Sequence, residues 1–122
     1  MKNSIRVIVI MFTLLVGGSA WAADIFTPAL RLGNAVKVHC QVLNTGTKTA
    51  LGVTNNIRDL ANNSVESVTG DIEPGEVQTT LVNAPTALGH YCRVSGISKK
   101  KARVTLCIQD ANETPIECVT GQ

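Results

Sequence analysis

The sequence predicts an all-β protein built as an antiparallel sandwich of about seven or eight strands. Three windows alternate apolar and polar residues with a period of two, which is typical of strands that bury one face. The windows are VKVHCQV at 36–42, YCRVSG at 91–96 and RVTLCIQ at 103–109. Polar, turn-forming stretches separate them, and no window carries a convincing amphipathic helix. Short strands at regular spacing indicate two sheets packed against each other.

Two weaker strands are predicted near 47–53 and 65–69, on either side of an Asn-rich stretch. The TNNIRDLANN part of that stretch is the best helix candidate of the chain, but its asparagines favour turns. A short strand over 79–82 follows the turn GDIEPGE, where Pro74 presets one φ angle and Gly75 tolerates a positive one.

The first 22 residues have the three-part layout of a secretory signal peptide. Lys2 and Arg6 make the start positive, the run at 7–16 is apolar, and the AWA triplet at 20–22 suits cleavage. The apolar run is about half as long as a membrane-spanning helix, which argues against a membrane anchor. We therefore expect an exported bacterial protein, periplasmic or extracellular, whose residues 23–122 form a single β-sandwich domain without a transmembrane segment.

Removal of the signal peptide changes the net charge and the aromatic content of the chain. The full chain has eleven Lys plus Arg against nine Asp plus Glu, and Lys2 and Arg6 account for the whole excess. The exported part is therefore neutral, and its aromatic residues are Phe26 and Tyr91. We expect no nucleic-acid partner, because single-strand binding needs a basic groove and stacking platforms. The low aromatic count also argues against a carbohydrate surface, and no methionine is left for a methionine-based copper site.

Four cysteines lie in the exported part of the chain, and an even count there predicts two disulfides among three possible pairings. Cys40 shares one face of its strand with three valines, and Cys92 shares one with Val94, so both are expected to point into the core. A bond between them would connect the two sheets. We predict the pair Cys40–Cys92.

The remaining cysteines lie around one predicted hairpin. Cys107 is on the strand face opposite Val104, Leu106 and Ile108. Cys107 and Cys118 are equidistant from a hairpin centre at 112–113. Opposed residues of an antiparallel pair are close enough for a disulfide, so we predict the pair Cys107–Cys118.

Each histidine is close to a cysteine, which raises the question of a metal site. Adjacent strand residues point to opposite faces, so His39 and Cys40 are not expected to bind one ion together. His90 and Cys92 share a face and remain an alternative metal site. Zinc spacing signatures are absent and exported cysteines tend to be oxidised. We therefore predict no metal and no cofactor, with the histidines as an exposed strand residue and a turn residue.

The sequence also contains no catalytic motif. Ser95, Ser98 and Lys99 are close together, but neither a GxSxG elbow nor an SxxK motif surrounds them. The acidic residues of 71–76 flank a Pro-Gly turn without the ordered spacing of a calcium loop. We predict a protein that is not an enzyme and has no catalytic residues.

Charge is unevenly distributed along the chain. Residues 60–77 contain four acidic residues and no basic one, whereas 78–109 contain five basic residues and no acidic one. Most of the basic residues lie in SKKKAR at 98–103, which we expect to cap a hairpin. The candidate contacts for an anionic surface partner are Lys99, Lys100, Lys101 and Arg103. The alternative is a solubilising turn that protects against aggregation.

HCQV at 39–42 and YCRV at 91–94 place inward cysteines on an early and a late strand. In this arrangement the chain resembles immunoglobulin-like β-sandwich modules, and its turn IEPGE is similar to a loop of many bacterial modules of that kind. It also resembles small exported bacterial proteins of uncharacterised function. The usual core tryptophan is missing, and His90 occupies the place of the corner tyrosine. The resemblance implies an immunoglobulin-like sandwich and names no ligand.

Two function classes follow from these observations. The first is an exported, non-enzymatic binding or structural module that contacts a protein partner through loops or an exposed strand edge. The alternative is a small protein that binds an anion through 98–103 or a metal through His90 and Cys92.

Overall fold

The computed structural model describes residues 23–85 and 87–122, and the signal peptide expected at 1–22 lies outside them. The described residues form nine β-strands and one 3₁₀ turn at Lys99–Lys101. The strands are β1 Ile25–Phe26, β2 Leu30–Arg31, β3 Lys37–Asn44, β4 Ala50–Asp59, β5 Ser64–Ile72, β6 Val77–Asn83, β7 Gly89–Ser95, β8 Ala102–Gln109 and β9 Pro115–Thr120. No helix in this part of the chain is long and apolar enough to cross a membrane.

The strands form two antiparallel sheets. Sheet A contains β1, β7, β4 and β5 in that order, with β2 also beside β7, and sheet B contains β6, β3, β8 and β9. The prediction of an all-β, antiparallel protein is therefore confirmed. The strand count exceeds the expected seven or eight because β1 and β2 pair with β7 as separate two-residue pieces. Pieces of that length are too short to show a period of two.

The connections after β5 and β7 each cross from sheet A to sheet B. The first contains the predicted Pro-Gly turn, in which Gly75 has a φ of 80°. The second contains residues 98–101 of the basic segment, and β8 contains the rest. Because this connection joins strands of different sheets, the prediction that the segment caps a hairpin is wrong. Alternation identifies a strand and its buried face, but it does not tell to which sheet the strand belongs.

The hydrophobic core lies between the two sheets and takes alternate residues from the long strands. On β3, Val38, Cys40 and Val42 are fully buried, as the alternation of this strand predicts. The other buried apolar side chains include Ile25, Val53, Ile57, Ile72, Val94, Val104, Leu106 and Ile108.

Two disulfides connect the strands. Cys40 on β3 is bonded to Cys92 on β7 with 6.2 Å between the Cα atoms, so this bond ties sheet B to sheet A through the core. Cys107 and Cys118 are direct partners in the register of β8 and β9, with 4.1 Å between the Cα atoms. Their bond lies on the outer side of sheet B. Both bonds join the cysteines that the strand faces and the hairpin centre predict.

Buried asparagines connect the sheets where the sequence suggests turns. Asn55 lies within β4 and is fully buried. Its Nδ2 donates to the carbonyl oxygen of Cys40 at 2.9 Å, and the Thr80 hydroxyl donates to the carbonyl oxygen of Asn55 at 3.0 Å. The Asn-rich stretch is therefore a strand as far as Asp59, and only residues 60–63 form a turn. The NH₂ group of Asn55 offsets part of the cost of burial by bonding to backbone oxygens of the facing sheet, whereas Oδ1 has no hydrogen-bond partner within the described residues.

Candidate functional site

The outward side of sheet A is polar across the neighbouring strands β7, β4 and β5. Because Val53 and Ile57 point into the core, the alternate residues of β4 point outward. The strand register brings outward residues of β7 and β5 beside them. Together they surround a hollow of ≈ 280 Å³, which is lined by Thr54, Asn56, Arg58, Ser64, Ser67, Arg93 and Ser95. We call these seven residues the polar face.

Arg58 is held in place by amide oxygens rather than by a carboxylate. Its Nε donates to Asn56 Oδ1 at 2.6 Å. Its Nη1 donates to the carbonyl oxygen and to Oδ1 of Asn62, at 3.0 and 2.8 Å. Within residues 23–85 and 87–122, Nη2 has no hydrogen-bond partner and Arg58 forms no ion pair. The guanidinium therefore keeps an uncompensated charge and one unoccupied edge.

The turn between β4 and β5 positions Asn62 for this contact. Asp59 Oδ1 accepts hydrogen bonds from the backbone N–H groups of Ala61 and Asn63, both at 2.9 Å. The hydrogen bond from the Asn63 backbone is the main reason why the pKa of Asp59 lies below its ordinary value. Asn62 has a φ of 65°, a left-handed conformation that asparagine tolerates better than most residues. The turn thus presents Asn62 to Arg58.

Arg93 joins the polar face to two aromatic side chains, those of Phe26 and Tyr91. Its Nε donates to Asp24 Oδ2 at 2.8 Å, and its guanidinium carbon lies 5.9 Å from the centroid of the Phe26 ring. The rings of Phe26 and Tyr91 are 6.4 Å apart, and Tyr91 Oη donates to Asn62 Oδ1. Phe26 is 46% exposed, so a large part of its ring is accessible at the rim of the polar face.

The seven residues of the polar face carry two positive charges and no negative one. Two acidic residues form hydrogen bonds with residues of the polar face. Asp24 is paired with Arg93, and Glu66 Oε1 accepts the backbone N–H of Ser67 at 3.3 Å. Neither carboxylate pairs with Arg58, which makes Arg58 the cation on this face that is available to a ligand.

The basic segment that the sequence offers as an anion contact lies outside the polar face. Lys99, Lys100 and Lys101 form the exposed 3₁₀ turn, and Arg103 is exposed on β8 of sheet B. The backbone of this turn bonds to Thr45, and that of the acidic turn at 73–76 bonds to Asn44, the last residue of β3. Opposite charges that are separated in sequence therefore share one end of the molecule. No ion pair joins the two turns in the described residues.

Both histidines are more buried than the sequence predicts, although His39 lies on a strand, β3, as expected. His90 is not a turn residue but lies fully buried on the inward side of β7, and its ring nitrogens have no hydrogen-bond partner within the described residues. Burial lowers the pKa of His90, against the smaller opposing effects of the Arg58 backbone and Asp59. His39 is only partly exposed and lies opposite Cys107 in the register of sheet B. Burial lowers the pKa of His39 as well.

The alternative metal site loses one of its ligands in the folded chain. The sulfur of Cys92 is bonded to Cys40 and so is not a thiolate beside His90. Across residues 23–85 and 87–122, no group of three or more His, Cys, Asp or Glu side chains is placed to hold a metal ion.

The sequence reasoning missed the polar face. The sequence does show polar residues at the outward-pointing positions of two strands. They are Thr54, Asn56 and Arg58 on β4 and Arg93 and Ser95 on β7. Polar residues in that phase look like an ordinary solvated surface until the strands are known to be neighbours.

Comparisons with known proteins add to the description of the fold. Neither the protein-family models nor the curated proteins give a match to the chain. The crystal structure of Thermotoga maritima 1070 is similar with a TM-score of 0.53 at 16% identity, over 84% of this chain and 95% of that one. At this identity the likeness shows a shared fold alone. An arabinose-bound MgGH51 α-L-arabinofuranosidase also matches over 84% of this chain and 18% of its own length. Its TM-score of 0.38 at 7% identity supports no argument.

Proposed function

We propose that the protein is an exported, non-enzymatic binding module that holds an anionic ligand on the polar face. The observation that carries this proposal is the pair Arg58 and Arg93 on one hollow, with Arg58 lacking an acidic partner in the described residues. Nη2 of Arg58, whose N–H groups have no partner within the described residues, can donate charge-assisted hydrogen bonds to a carboxylate oxygen. Because the hydrogen bonds that Arg58 donates to Asn56 and Asn62 already fix its side chain, a ligand loses little free energy in ordering it.

The surroundings of the polar face support binding rather than catalysis. A serine nucleophile needs a neighbouring base, most often a histidine. Ser64, Ser67 and Ser95 line the hollow, whereas His90 is buried in the core and His39 lies on sheet B. The hollow is also open, so its electrostatic interactions are not strengthened by the exclusion of bulk water that many active sites achieve by closing.

Two further inferences concern location and fold. Two disulfides in a small domain are typical of an oxidising compartment, which supports export to the periplasm or the extracellular space. The bond between Cys40 on an early strand and Cys92 on a late one supports the interpretation of the two sheets as an immunoglobulin-like sandwich.

Retention on a carboxymethyl matrix near physiological ionic strength tests the proposal. We expect the exported protein to be retained, and Arg58→Gln and Arg93→Gln to weaken retention because each removes a guanidinium from the hollow. Arg103→Gln is the matched control, since it removes the same charge from sheet B. If Lys99, Lys100 and Lys101→Ala abolishes retention while the two polar-face variants are retained like the wild type, the anion site is the basic turn and the proposal is wrong.

A second candidate function is contact with a protein by strand addition at β5. β5 pairs only with β4 within the described residues, its residues 64–69 are exposed, and neither proline nor lysine protects its free edge. An extended peptide can add to such an edge through backbone hydrogen bonds. Amide protection from hydrogen exchange that appears along β5 upon partner binding, without any change at Arg58 and Arg93, would select this candidate.

A further inference from the structure

We infer that the ligand of the polar face is a hexuronate residue of an acidic saccharide chain. This inference rests on the proposed function and adds the chemical class of the ligand. A hexuronate combines a single carboxylate, a ring with an apolar C–H side and several hydroxyl groups, and the polar face and its rim offer a partner for each.

Arg58 supplies the partner for the carboxylate. Its Nε and Nη1 are occupied by Asn56 and Asn62, and Nη2 is the free edge of the guanidinium within the described residues. One uncompensated guanidinium matches the single charge of a carboxylate. Arg93 is paired with Asp24, so it attracts a second negative charge on a ligand less strongly than Arg58 attracts the first.

The aromatic pair supplies the surface for the sugar ring. The axial C–H groups of a pyranose form an apolar side that gains dispersion energy against an aromatic ring. Phe26 is 46% exposed and lies beside Tyr91 and Arg93. Its backbone exchanges two hydrogen bonds with Gln122, at 3.2 and 3.0 Å, so the ring is carried by an anchored strand rather than by a free terminus.

The serines supply partners for the sugar hydroxyls. The side chains of Ser67 and Ser95 line the hollow and make no hydrogen bond within residues 23–85 and 87–122. A serine hydroxyl donates one hydrogen bond and accepts others, as a sugar hydroxyl does, so each pair can satisfy both groups. Thr54, by contrast, is already bonded to Thr69 at 3.0 Å between the two hydroxyl oxygens.

The size of the hollow fits one ring of a longer chain. Its volume of ≈ 280 Å³ is at the lower end of ligand pockets, which typically hold a whole drug-sized molecule at about 300–1,000 Å³. Because the hollow is open to solvent, neighbouring sugar units can continue beyond it. The low number of aromatic residues in the sequence argues against a carbohydrate surface, but the fold places both of them at this one site.

The test is an NMR titration of the ¹⁵N-labelled exported protein with four probes. These are trigalacturonate, trimannuronate, neutral trigalactose and tri-glutamate, which vary the carboxylate and the ring independently. We expect at least one uronate trimer to shift the amides around Arg58, Arg93 and Phe26, and to bind at least tenfold more tightly than trigalactose and tri-glutamate.

Four variants assign the contacts. With the uronate trimer that binds, we expect Arg58→Gln to weaken affinity about tenfold and Phe26→Ala to weaken it several-fold. Arg103→Gln and Leu81→Ala, which remove a charge and an exposed apolar side chain from sheet B, are expected to leave the affinity unchanged. Unchanged amide dispersion in each variant shows that it is folded.

The outcomes separate this inference from the proposed function. Binding of tri-glutamate as tight as that of both uronates overturns the saccharide and leaves an acidic peptide as the ligand of the same face. Failure of both uronates to bind, with retention on the carboxymethyl matrix still dependent on Arg58, overturns the saccharide alone. Absence of both uronate binding and Arg58-dependent retention overturns the proposed function as well.

Discussion

Removal of the inter-sheet disulfide is expected to destabilise the protein more than removal of the hairpin disulfide. Cys40 and Cys92 are 52 residues apart in sequence, whereas Cys107 and Cys118 are 11 apart. In the chain-entropy model, crosslinks that close loops of these lengths contribute about 4 and about 3 kcal/mol at 25 °C. Cys40 and Cys92 are also fully buried, so alanine at both positions leaves unfilled core volume that adds about 1 kcal/mol to the loss.

Urea unfolding of two double variants measures this difference. We expect Cys40→Ala with Cys92→Ala to lower the free energy of unfolding by about 1–2 kcal/mol more than Cys107→Ala with Cys118→Ala. The hairpin bond lies on the outer side of sheet B, where Cys118 is exposed. Cys107 is buried but lies outside the core between the sheets, so alanine at these two positions leaves less unfilled core volume. Equal losses, or a larger loss for the hairpin pair, would show that neither loop length nor core burial sets the contribution of these bonds.

Three further predictions concern the core and the rim of the site. As pH falls from 7 to 5, we expect the wild type to lose stability, because burial lowers the pKa of His90 and the unfolded chain, with its pKa near 6.5, takes up the proton first. Each pH unit over which the unfolded state alone binds this proton lowers the free energy of unfolding by about 1.4 kcal/mol. In urea unfolding at a series of pH values, we expect His90→Leu to lose less stability than the wild type. Parallel pH profiles of the two proteins would contradict the assignment of this loss to His90. Asn55→Ala removes the amide that bonds to the Cys40 carbonyl oxygen, so we expect the free energy of unfolding to fall by about 1–3 kcal/mol. A change within error of zero in urea unfolding would mean that the packing of the two sheets does not depend on this contact. Asp24→Asn frees Arg93 from its ion pair, so affinity for a carboxylate probe is expected to rise several-fold by isothermal titration, and a fall in affinity would indicate that Asp24 orients Arg93 for binding instead.

Much of the architecture could be predicted because it depends on local alternation. The long strands β3, β7 and β8 each bury one face, and that face is readable from the order of residues within a single strand. The disulfide pairing follows from the same alternation together with the symmetric placement of Cys107 and Cys118 about one hairpin. Two-residue strands such as β1 carry no such signal, although β1 places Phe26 beside Arg93.

The sequence predicts turns in the Asn-rich stretch because asparagine has a high turn propensity. In the folded chain, tertiary contacts determine whether each asparagine lies in a strand or in a turn. Asn55 is stable inside β4 because the Cys40 carbonyl oxygen of the facing sheet accepts its amide hydrogen. Asn62 does lie in a turn, as propensity suggests, and there it holds Arg58. The two asparagines are of the same type and differ only in what the folded chain places opposite them.

The polar face could not be predicted because it is assembled from strands distant in sequence. Arg58 and Arg93 meet through the pairing of β4 with β7, and Ser67 joins them through the pairing of β4 with β5. The sequence instead drew attention to consecutive lysines at 99–101, where proximity along the chain is visible without a fold. The prediction of His90 as a turn residue is wrong because β7 begins at Gly89 and so includes His90. Its alternation with Cys92 indicates the inward position that the structure shows.

The most direct test of the central claim is the affinity of the protein for an anionic probe, compared between two arginine variants. The measurement is the dissociation constant of a uronate trimer at physiological ionic strength for the wild type, Arg58→Gln and Arg103→Gln. We predict an increase of about tenfold in Arg58→Gln and no change in Arg103→Gln, because Arg58 lies on the polar face and Arg103 lies on sheet B. Equal effects of the two substitutions would mean that net charge alone attracts the probe, and would contradict a binding site on the outer side of sheet A.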